Sequence, residues 1–367
     1  MSGAAVDQLS VQQIKDRAGG EAIAAGINVQ MESCRERTTR SGKPYLEVAF
    51  VDATGPMVLK AWDNHPQFSY FKELKPQSFL KLEGNWTKNQ YGMDATSWQA
   101  RLMSRDEQDT FMAGDPETRQ RQATDWKYLT HTLSAISEPR LRAVGQAFVT
   151  LYGERFRRAA AARRNHHARR GGLAEHTAQM MRAASAMQTA YPSLNVDLMH
   201  IGILFHDCGK IWENGYKEDS FAQTVDLRGE MLGHISIGMD LFSRIWNELL
   251  TKPENKTWIE MEVPNEHVRM HVLHLIASHH GQLEFGSPIM PRTPEAFAIH
   301  HIDNFDAKFE MLEQVYQSGS EIVPGIYDRV FPLPGNPIEP LPSYEESPTA
   351  AVEDEVESDV LKSDFLF

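Results

Sequence analysis

Cysteines and long apolar runs are both scarce in this sequence. Its 367 residues include two cysteines, Cys34 and Cys208, which lie far apart and cannot form a disulfide framework or a four-cysteine zinc site. Any bound metal therefore needs nitrogen and oxygen ligands. No apolar run approaches the roughly 18 residues that span a bilayer, so we expect no membrane-spanning segment.

The start of the chain lacks the features of a secretory signal. It reads MSGAAVDQLSVQQIKD, without a basic start, an apolar centre or a small-residue cleavage site, and we therefore expect a cytoplasmic protein. The chain is too long for one ordinary core of about 100–200 residues, and its 41% hydrophobic and 24% charged residues are typical of globular proteins. Two folded units with terminal tails are the simplest prediction.

Positively charged residues are fewer than negatively charged ones, and the excess of negative charge is unevenly distributed along the chain. A formal net charge of -13 argues against a nucleic-acid partner, because binding polyphosphate depends on lysine and arginine. However, the segment from Glu339 to the C-terminus holds nine acidic residues and one lysine, which accounts for -8 and leaves -5 for the first 338 residues. Histidine is uneven too, since 14 of the 15 lie between His131 and His301. We therefore expect binding and chemistry in different parts of the chain.

The first hundred residues show the period-two pattern of β-strands. Leu46, Val48 and Phe50 alternate with other side chains, a turn follows at 52–55, and further strand-like runs cover 78–87 and 91–103. A segment around 64–75 predicts a helix. About five strands in so short a stretch favour a small closed barrel, which hides strand edges. Most of its aromatic residues should be core, and the remainder could stack on bases; the candidates for contact with nucleic acid are Lys43, Lys60, Trp62, Trp86 and Lys88.

The rest of the chain divides by composition. Residues 106–122 are polar and predict a linker, and from 123 to 330 the apolar spacing predicts an all-α unit, with helices over 126–162, 173–190, 196–205, 235–250, 267–278 and 294–317. Residues 331–367 are acidic and rich in proline, which predicts a disordered tail, and residues 1–19 form an N-terminal extension.

Histidine and aspartate form an ordered set of candidate metal ligands. The central pair is His206-Asp207 in GILFHDCGK, where apolar residues predict a buried helix that Gly209 ends. Imidazole and carboxylate ligands without thiolate suit Mn²⁺, Fe²⁺ or Mg²⁺. The other candidates lie in GGLAEHT, LGHISIG, ASHHG and HHIDNFDAK, and they are His176, His234, His279, His280 and Asp303.

This order resembles the HD-domain metal phosphohydrolase superfamily in its expanded form, H…HD…H…HH…D. The combination of the two regions is similar to the YhaM-type 3′-to-5′ exoribonucleases, also called CMP-binding factors, which join an N-terminal OB-fold to an HD domain. The segments that carry this resemblance are GKPYLEVAFVDATGPMVLKAWD, HHARRGGLAEHT and SHHGQLEFGSPIMPRTPEAFAIHHIDNFDAK, and it covers roughly residues 20–317. It implies a five-stranded OB-fold barrel over 20–105 and an all-α HD domain over 123–330.

The resemblance also implies roles for individual residues. A first metal would be held by His176, His206, Asp207 and Asp303. Asp207 would bridge to a second ion on His234 and His279, with His280 as a further ligand or a contact to substrate. Within this set His206 and Asp207 are the catalytic candidates, joined by Lys210, which would meet a phosphate oxygen. The ion would be Mn²⁺ first, with Mg²⁺, Fe²⁺ and Co²⁺ as alternatives, at one or two per chain; a one-metal site would leave His234 and His279 as neighbours.

An arginine-rich run, RFRRAAAARRNHHARR, precedes the first candidate ligand. It holds seven arginines and no acid, so we predict contacts to phosphate; the other interpretation is a solvated helix face. The residues predicted to bind nucleic acid here are Arg163, Arg164, His167, Arg169 and Arg170. Whether His166 and His167 take part in chemistry stays open.

The resulting prediction is a divalent-metal-dependent 3′-to-5′ exoribonuclease that degrades single-stranded RNA, with single-stranded DNA as a second substrate, to nucleoside monophosphates. Two other functions stay open: a phosphohydrolase of nucleotides or cyclic nucleotides, and a single-strand-binding protein without catalysis. A homo-oligomer also stays open. For the tail, which ends in SDFLF, we predict either solubility alone or a role in docking a partner protein or shielding the basic groove.

Overall fold

The computed structural model describes residues 7–18, 22–89, 92–163 and 167–343, and two compact units divide the chain, Met1–Gly319 and Ser320–Phe367. In the second unit, strands β7 (Glu321–Val323) and β8 (Ile326–Tyr327) pair antiparallel. The predicted disordered tail lies outside the described residues from position 344 onward. In the part of the chain that the structure describes, no helix is long and apolar enough to cross a membrane.

The N-terminal part of the first unit is a six-stranded sheet. Its path is β4-β3-β2-β5-β6, and β1 adds to β2 in parallel. The predicted hairpin is confirmed, because Tyr45 pairs with Trp62 and Asp52 with Gly55. The elements are β1 (Gln8–Leu9), α1 (Val11–Arg17), β2 (Ile23–Thr38), β3 (Pro44–Asp52), β4 (Gly55–Trp62), α2 (Phe68–Glu73), β5 (Phe79–Asn89) and β6 (Gly92–Leu102).

The sheet is not closed into a barrel by hydrogen bonds, which corrects the prediction of a closed barrel. Strands β4 and β6 approach within 8 Å at their Cα atoms, but no ladder joins them among the described residues. Instead, the side-chain amide of Gln67 donates to the carbonyl of Ala100 at 2.7 Å and accepts from its N–H at 2.7 Å. His65 contacts the carbonyl of Trp98 at 3.1 Å. The segment before α2 therefore satisfies part of the exposed edge of β6.

The remainder of the first unit is helical. The helices are α3 (Arg105–Ala113), α4 (Pro116–Ala135), α5 (Pro139–Phe156), α6 (Gly172–Ala190), α7 (Val196–His206), α8 (Lys210–Glu213), α9 (Leu227–Thr251), α10 (Asn265–Ser278) and α11 (Pro294–Ser318). Short 3₁₀ segments cover Pro253–Glu260 and Leu283–Phe285.

Two segments of the helical part differ in detail from the pattern of the sequence. The segment 106–122, predicted as a linker, lies mostly in α3 and α4, because Ser104 and Asp115 cap the two helices with their side chains. The stretch 126–162, whose apolar spacing predicts helical structure, holds the end of α4 and all of α5; the two are separated before Pro139, where Glu138 caps α5 by accepting from the N–H of Leu141. Polar residues were thus capping helices rather than interrupting them.

The buried apolar residues form two clusters, one inside the sheet and one among the helices. Val11 and Ile14 of α1 are completely buried in the first cluster, so part of the predicted N-terminal extension belongs to the sheet core. The sheet and the helical part contact each other through Gln30 of β2, which is 1% exposed and accepts from the N–H of Phe221 at 3.0 Å. Its amide donates to the carbonyl of Asp219 at 3.1 Å.

Candidate metal centre

Helix α7 delivers the central pair of candidate ligands. Every residue from Leu198 to His206 is buried, and the helix ends so that Asp207 becomes its C-terminal cap. Gly209 follows at a φ of -64°, so its role is not the helix-ending turn predicted from sequence. A Cβ there would lie 2.1 Å from the carbonyl oxygen of His234. Glycine is required at this position because helix α9 passes so close.

The first cluster of candidate ligands contains His176, His206, Asp207 and Asp303. The Nε2 atom of His176 lies 3.4 Å from Nε2 of His206 and 3.4 Å from Oδ1 of Asp303. Oδ2 of Asp207 lies 3.3 Å from Nε2 of His206 and 3.8 Å from Nε2 of His176. Helices α6, α7 and α11 thus bring these four donors close together.

A second cluster faces the other oxygen of Asp207. Its Oδ1 lies 3.4 Å from Nε2 of His234 and 3.7 Å from Nε2 of His279. All three atoms are buried and make no hydrogen bond to any of the residues that the structure describes. His280 joins this group, since donor atoms of His234, His279 and His280 lie within 4.8 Å of one another. Three unsatisfied polar atoms aimed at one point fit a bound cation, because buried polar atoms otherwise find partners.

The imidazoles in both clusters are held by their Nδ1 atoms. Nδ1 of His206 donates to the carbonyl of Ile203 at 2.7 Å, and Nδ1 of His279 to that of Ile276 at 2.8 Å. Nδ1 of His280 likewise donates to the carbonyl of Phe285 at 2.7 Å. A carbonyl oxygen can only accept, so the proton lies on Nδ1 and the Nε2 lone pair faces the centre. This arrangement is typical of metal-binding histidines.

Carboxylates hold the two remaining imidazoles. Nδ1 of His176 lies 2.7 Å from Oδ2 of Asp306, and Nδ1 of His234 lies 3.0 Å from Oε2 of Glu213. Glu213 also accepts from the backbone N–H of His234 at 2.9 Å. A carbonyl or carboxylate oxygen therefore fixes the orientation of each candidate histidine ligand. The imidazole and carboxylate donors together are suited to divalent ions.

Comparisons with known proteins give the same picture over most of the chain. A family model described as HD domain matches residues 173–308. The 3′-5′ exoribonuclease YhaM of a Geobacillus species is 30% identical over 310 residues, which cover 84% of this chain and 89% of that protein. The chain belongs to the YhaM family of 3′-5′ exoribonucleases. The YhaM of Oceanobacillus iheyensis is also 30% identical, over 300 residues that cover 81% of this chain and 87% of that protein.

A solved structure matches the N-terminal part of this YhaM-family chain more weakly. It is the second OB-fold domain of replication protein A from Methanococcus maripaludis, at 13% identity and a TM-score of 0.20. The match covers 27% of this chain and 96% of that one. A likeness of that degree does not establish a shared fold.

Charge at the YhaM-family site is balanced by close contacts. Burial raises the pKa of Asp207, but Lys210 and His206 outweigh this effect and hold it well below the usual range. Nζ of Lys210 lies 2.5 Å from Oδ2 of Asp207. Burial keeps the pKa of His279 well below its ordinary value, which favours a neutral imidazole that can act as a ligand. For His176 the carboxylates of Asp303 and Asp306 outweigh burial and raise the pKa to about 10.

Several residues predicted to contact nucleic acid are bonded to other groups of the protein, and two of them, Trp86 and His167, are buried. Trp86 is fully buried and its Nε1 donates to the carbonyl of Ala25 at 2.8 Å. Arg169 bonds Glu175 and Glu310, and Arg170 bonds the carbonyls of residues 217, 218 and 220. His167 is buried, with Nε2 at 3.0 Å from Oδ2 of Asp306. The sequence does not show whether an arginine or histidine at these positions supports the site from within the protein or binds phosphate at its surface.

The other candidates for nucleic-acid contact lie at the surface. Lys43, Lys60 and Lys88 are exposed, and Trp62 is 41% exposed. The rings of Trp62 and Tyr45 lie 5.2 Å apart at their centroids, so sequence reasoning missed Tyr45 as part of this aromatic pair. Arg163 is half exposed. Arg164 and His166 lie outside the described residues.

Glu213 is the main residue of the site that sequence reasoning missed. No sequence motif includes Glu213. It follows Lys210 as the next charged residue of the short helix α8, and nothing in its sequence neighbourhood marks it as functional. Asp306, three positions after Asp303, lies against His176 in the structure. The histidine that Glu213 holds lies 21 positions later in the chain, so only the packing of α8 against α9 reveals the pair.

A cavity of about 470 Å³ opens beside the second cluster. Its size falls within the range of about 300–1,000 Å³ for small-molecule sites. Two of the candidate ligands, His234 and His280, form part of its wall. The charged side chains around it are Arg163, Lys210, Glu213 and Glu230.

Proposed function

We propose that this protein is a divalent-metal-dependent 3′-to-5′ exoribonuclease that acts in the cytoplasm. It hydrolyses single-stranded RNA, with single-stranded DNA as a second substrate, to nucleoside monophosphates. The observation that carries the proposal is the pair of donor clusters joined at Asp207, in a chain that shares 30% identity over 84% of its length with a protein named 3′-5′ exoribonuclease.

Mn²⁺ is the ion that we propose for both clusters. The first cluster, defined above, would hold one ion, and Asp207 with His234 and His279 would hold a second, with His280 as a further ligand. Bound there, divalent ions supply Lewis acidity and a water molecule with a lowered pKa. The donors support this choice, because imidazole and carboxylate without thiolate suit Mn²⁺ among other divalent ions.

The protein's own side chains prepare the site for a phosphodiester. Lys210 is 12% exposed, lies on the wall of the cavity and brings a positive charge next to Asp207, where a phosphate oxygen would be stabilised. Glu213 and Asp306 keep the imidazoles of His234 and His176 in one orientation, so the donor atoms need no rearrangement when substrate arrives.

The N-terminal sheet would gather the strand. We propose that residues 20–105 form an OB-fold nucleic-acid-binding domain and that residues 123–330 form the catalytic HD domain. Trp62 and Tyr45 offer exposed aromatic surface, and Nζ of Lys60 lies 5.8 Å from the ring centroid of Tyr45. Stacking of a base on an aromatic ring contributes about 1–3 kcal/mol and is tolerant of sequence, which suits an enzyme of RNA turnover.

The direct test uses RNA labelled at its 5′ end and incubated with the purified protein and Mn²⁺. We expect a ladder of products that shortens from the 3′ end, with nucleoside monophosphates released. Intact RNA together with rapid hydrolysis of nucleotides or cyclic nucleotides would instead establish a small-molecule phosphohydrolase. Binding of RNA without any hydrolysis would establish a single-strand-binding protein.

The variant Asp207→Ala removes the carboxylate shared by both clusters. We expect it to lose cleavage to below detection and to retain less metal per chain by elemental analysis, while RNA binding stays within about twofold because the aromatic pair lies on the sheet. Asp109→Ala, an exposed aspartate on α3, serves as the control. Cleavage by Asp207→Ala at the level of the control would contradict the proposal.

A further inference from the structure

The cavity beside the second cluster contains a carboxylate that no proposed metal uses. Glu230 stands on α9, one turn before His234, and it is bonded to the guanidinium of Arg163. The two side chains are 46% and 49% exposed, so the pair itself adds little to stability. Stability therefore does not explain why this ion pair lies on the wall of the cavity.

A carboxylate is an unusual group in the wall of a cavity that receives a phosphodiester. When ionised it only accepts hydrogen bonds, so it suits a hydroxyl or amino donor and repels phosphate. Glu213, the other acidic residue of the wall, is already engaged by His234. Glu230 is thus the carboxylate of this wall that no imidazole engages, and its bond to Arg163 fixes its orientation.

The substrate brings one matching donor to this place. At the 3′ end of an RNA the terminal ribose carries hydroxyl groups, and carboxylates commonly accept from ribose hydroxyls in nucleotide sites. The metal donors His234 and His280 share the cavity wall with Glu230. A terminal nucleoside in the cavity, with its 5′ phosphate toward these donors, would therefore present its 3′ hydroxyl to the remaining wall.

We infer that the cavity binds the 3′-terminal nucleoside and that Glu230, oriented by Arg163, recognises the free 3′ hydroxyl and rejects a 3′ phosphate. This inference rests on the proposed exonuclease function and names the part of the substrate that selects the end. A terminal phosphate would meet the carboxylate as a like charge. Arg163 moderates that repulsion because it neutralises part of the charge of Glu230.

The test compares two RNAs that differ only at the 3′ end, one with a hydroxyl and one with a phosphate, both labelled at the 5′ end. Initial rates are measured with the full-length protein and Mn²⁺. The wild-type protein should prefer the hydroxyl end. In Glu230→Gln that preference should shrink by about tenfold, the size expected when one like-charge contact is removed from a solvated site. Because the preference is a ratio within one protein, partial misfolding does not produce this change.

Arg163→Gln should change the ratio in the opposite direction, because it leaves Glu230 without its counter-charge. Glu248→Gln, an exposed glutamate farther along α9, should keep the wild-type ratio. Equal rates for the two ends in the wild-type protein, or an unchanged ratio in Glu230→Gln, would overturn the inference while leaving the exonuclease intact. Failure of the wild-type protein to shorten either RNA would overturn the proposed function, and the inference with it.

Discussion

At the scale of single residues, the centre depends on how each imidazole is held. Asp207 serves both clusters because its two oxygens point in different directions, and the histidines around it present Nε2 because Nδ1 is engaged elsewhere. Main-chain carbonyls hold three of these rings, and the carboxylates of Asp306 and Glu213 hold two. The geometry of the site therefore depends on these hydrogen-bond partners as well as on the ligands themselves.

Replacing Glu213 by glutamine should weaken the second cluster without unfolding the protein. The amide can still accept from one N–H of His234, but it cannot hold both the backbone and Nδ1. We expect the affinity for Mn²⁺ and the rate of RNA cleavage to fall by about 10- to 100-fold, as for other residues that orient ligands. Metal per chain, measured by equilibrium dialysis, is the readout.

The matched control for this variant is Glu248→Gln, at an exposed position of α9. Wild-type metal affinity in Glu213→Gln would contradict a positioning role. A shared loss in both variants would point to a general effect of removing negative charge from the protein.

Glu107 predicts a pH dependence of stability outside the site. The guanidinium of Arg101 and the backbone N–H of Ser104 bond its carboxylate and lower its pKa to about 2, from an ordinary value of 4.5. A lowered pKa stabilises the fold above pH 4.5, and this contribution is lost as the pH falls toward 2. The difference in unfolding midpoint between wild type and Glu107→Gln should therefore shrink from pH 7 to pH 3. An equal difference in unfolding midpoint at pH 7 and at pH 3 would contradict this prediction. Because the side chain of Glu107 is exposed, we expect the difference to be small.

At the scale of elements, the ends and breaks of helices place the ligands. Asp207 caps α7, and His234 follows a break in α9 at Gly233, whose φ of 70° and ψ of 158° are adopted almost only by glycine. This break turns the chain so that the N–H and the ring of His234 both meet Glu213. A continuous helix would present His234 differently.

Gly233→Ala tests this break. The added Cβ has room, since its nearest neighbour would be Oε1 of Glu213 at 3.6 Å, so the cost is backbone strain alone. We expect a loss of about 1–3 kcal/mol in the free energy of unfolding, measured in urea, together with weaker binding of Mn²⁺. Gly335→Ala, at a glycine with an unstrained φ and open surroundings, is the control. Unchanged stability and metal binding in Gly233→Ala would show that the break is not strained.

The sequence predicts helices and strands well where the apolar periodicity is strong. It predicts them poorly where polar residues could either cap a helix or form a linker. The strands of the hairpin and the helix that carries His206 follow directly from apolar spacing. The segment 106–122 was predicted as a linker, because capping residues and linker residues share a composition. The barrel was expected to close by strand pairing, whereas Gln67 satisfies the edge of β6 with its side chain.

At the scale of the whole molecule, the sheet and the helices keep separate cores and meet through one buried amide and a row of aromatic rings. Gln30 is buried and bonds the chain around Phe221, while Phe111 lies between Phe79 of the sheet and Phe221, with ring centroids 6.0 and 5.1 Å away. The same loop is bonded by Arg170, close to the start of α6. The sheet and the candidate metal centre thus lie in one compact unit.

Gln30→Ala should loosen this contact. It leaves the N–H of Phe221 and the hydroxyl of Ser220 without their shared acceptor, a loss that costs about 1–3 kcal/mol when such groups stay buried. We expect a lower urea midpoint and faster proteolysis between the two cores, with unchanged metal content. Gln99→Ala, an exposed glutamine of the sheet, should stay within about 0.5 kcal/mol of wild type. Equal midpoints for the two variants would show that Gln30 does not hold the parts together.

The sequence by itself determined the order of the chemistry: an alternating region, a helical region and a set of histidines and aspartates whose spacing matches a known family. These features are local or ordered along the chain, and residue type alone reveals them. Only the tertiary structure decided which polar groups act together. Glu213 reaches His234, Asp306 reaches His176, and Trp86 turns inward, because packing brings distant positions into contact and assigns each side chain either to the core or to solvent.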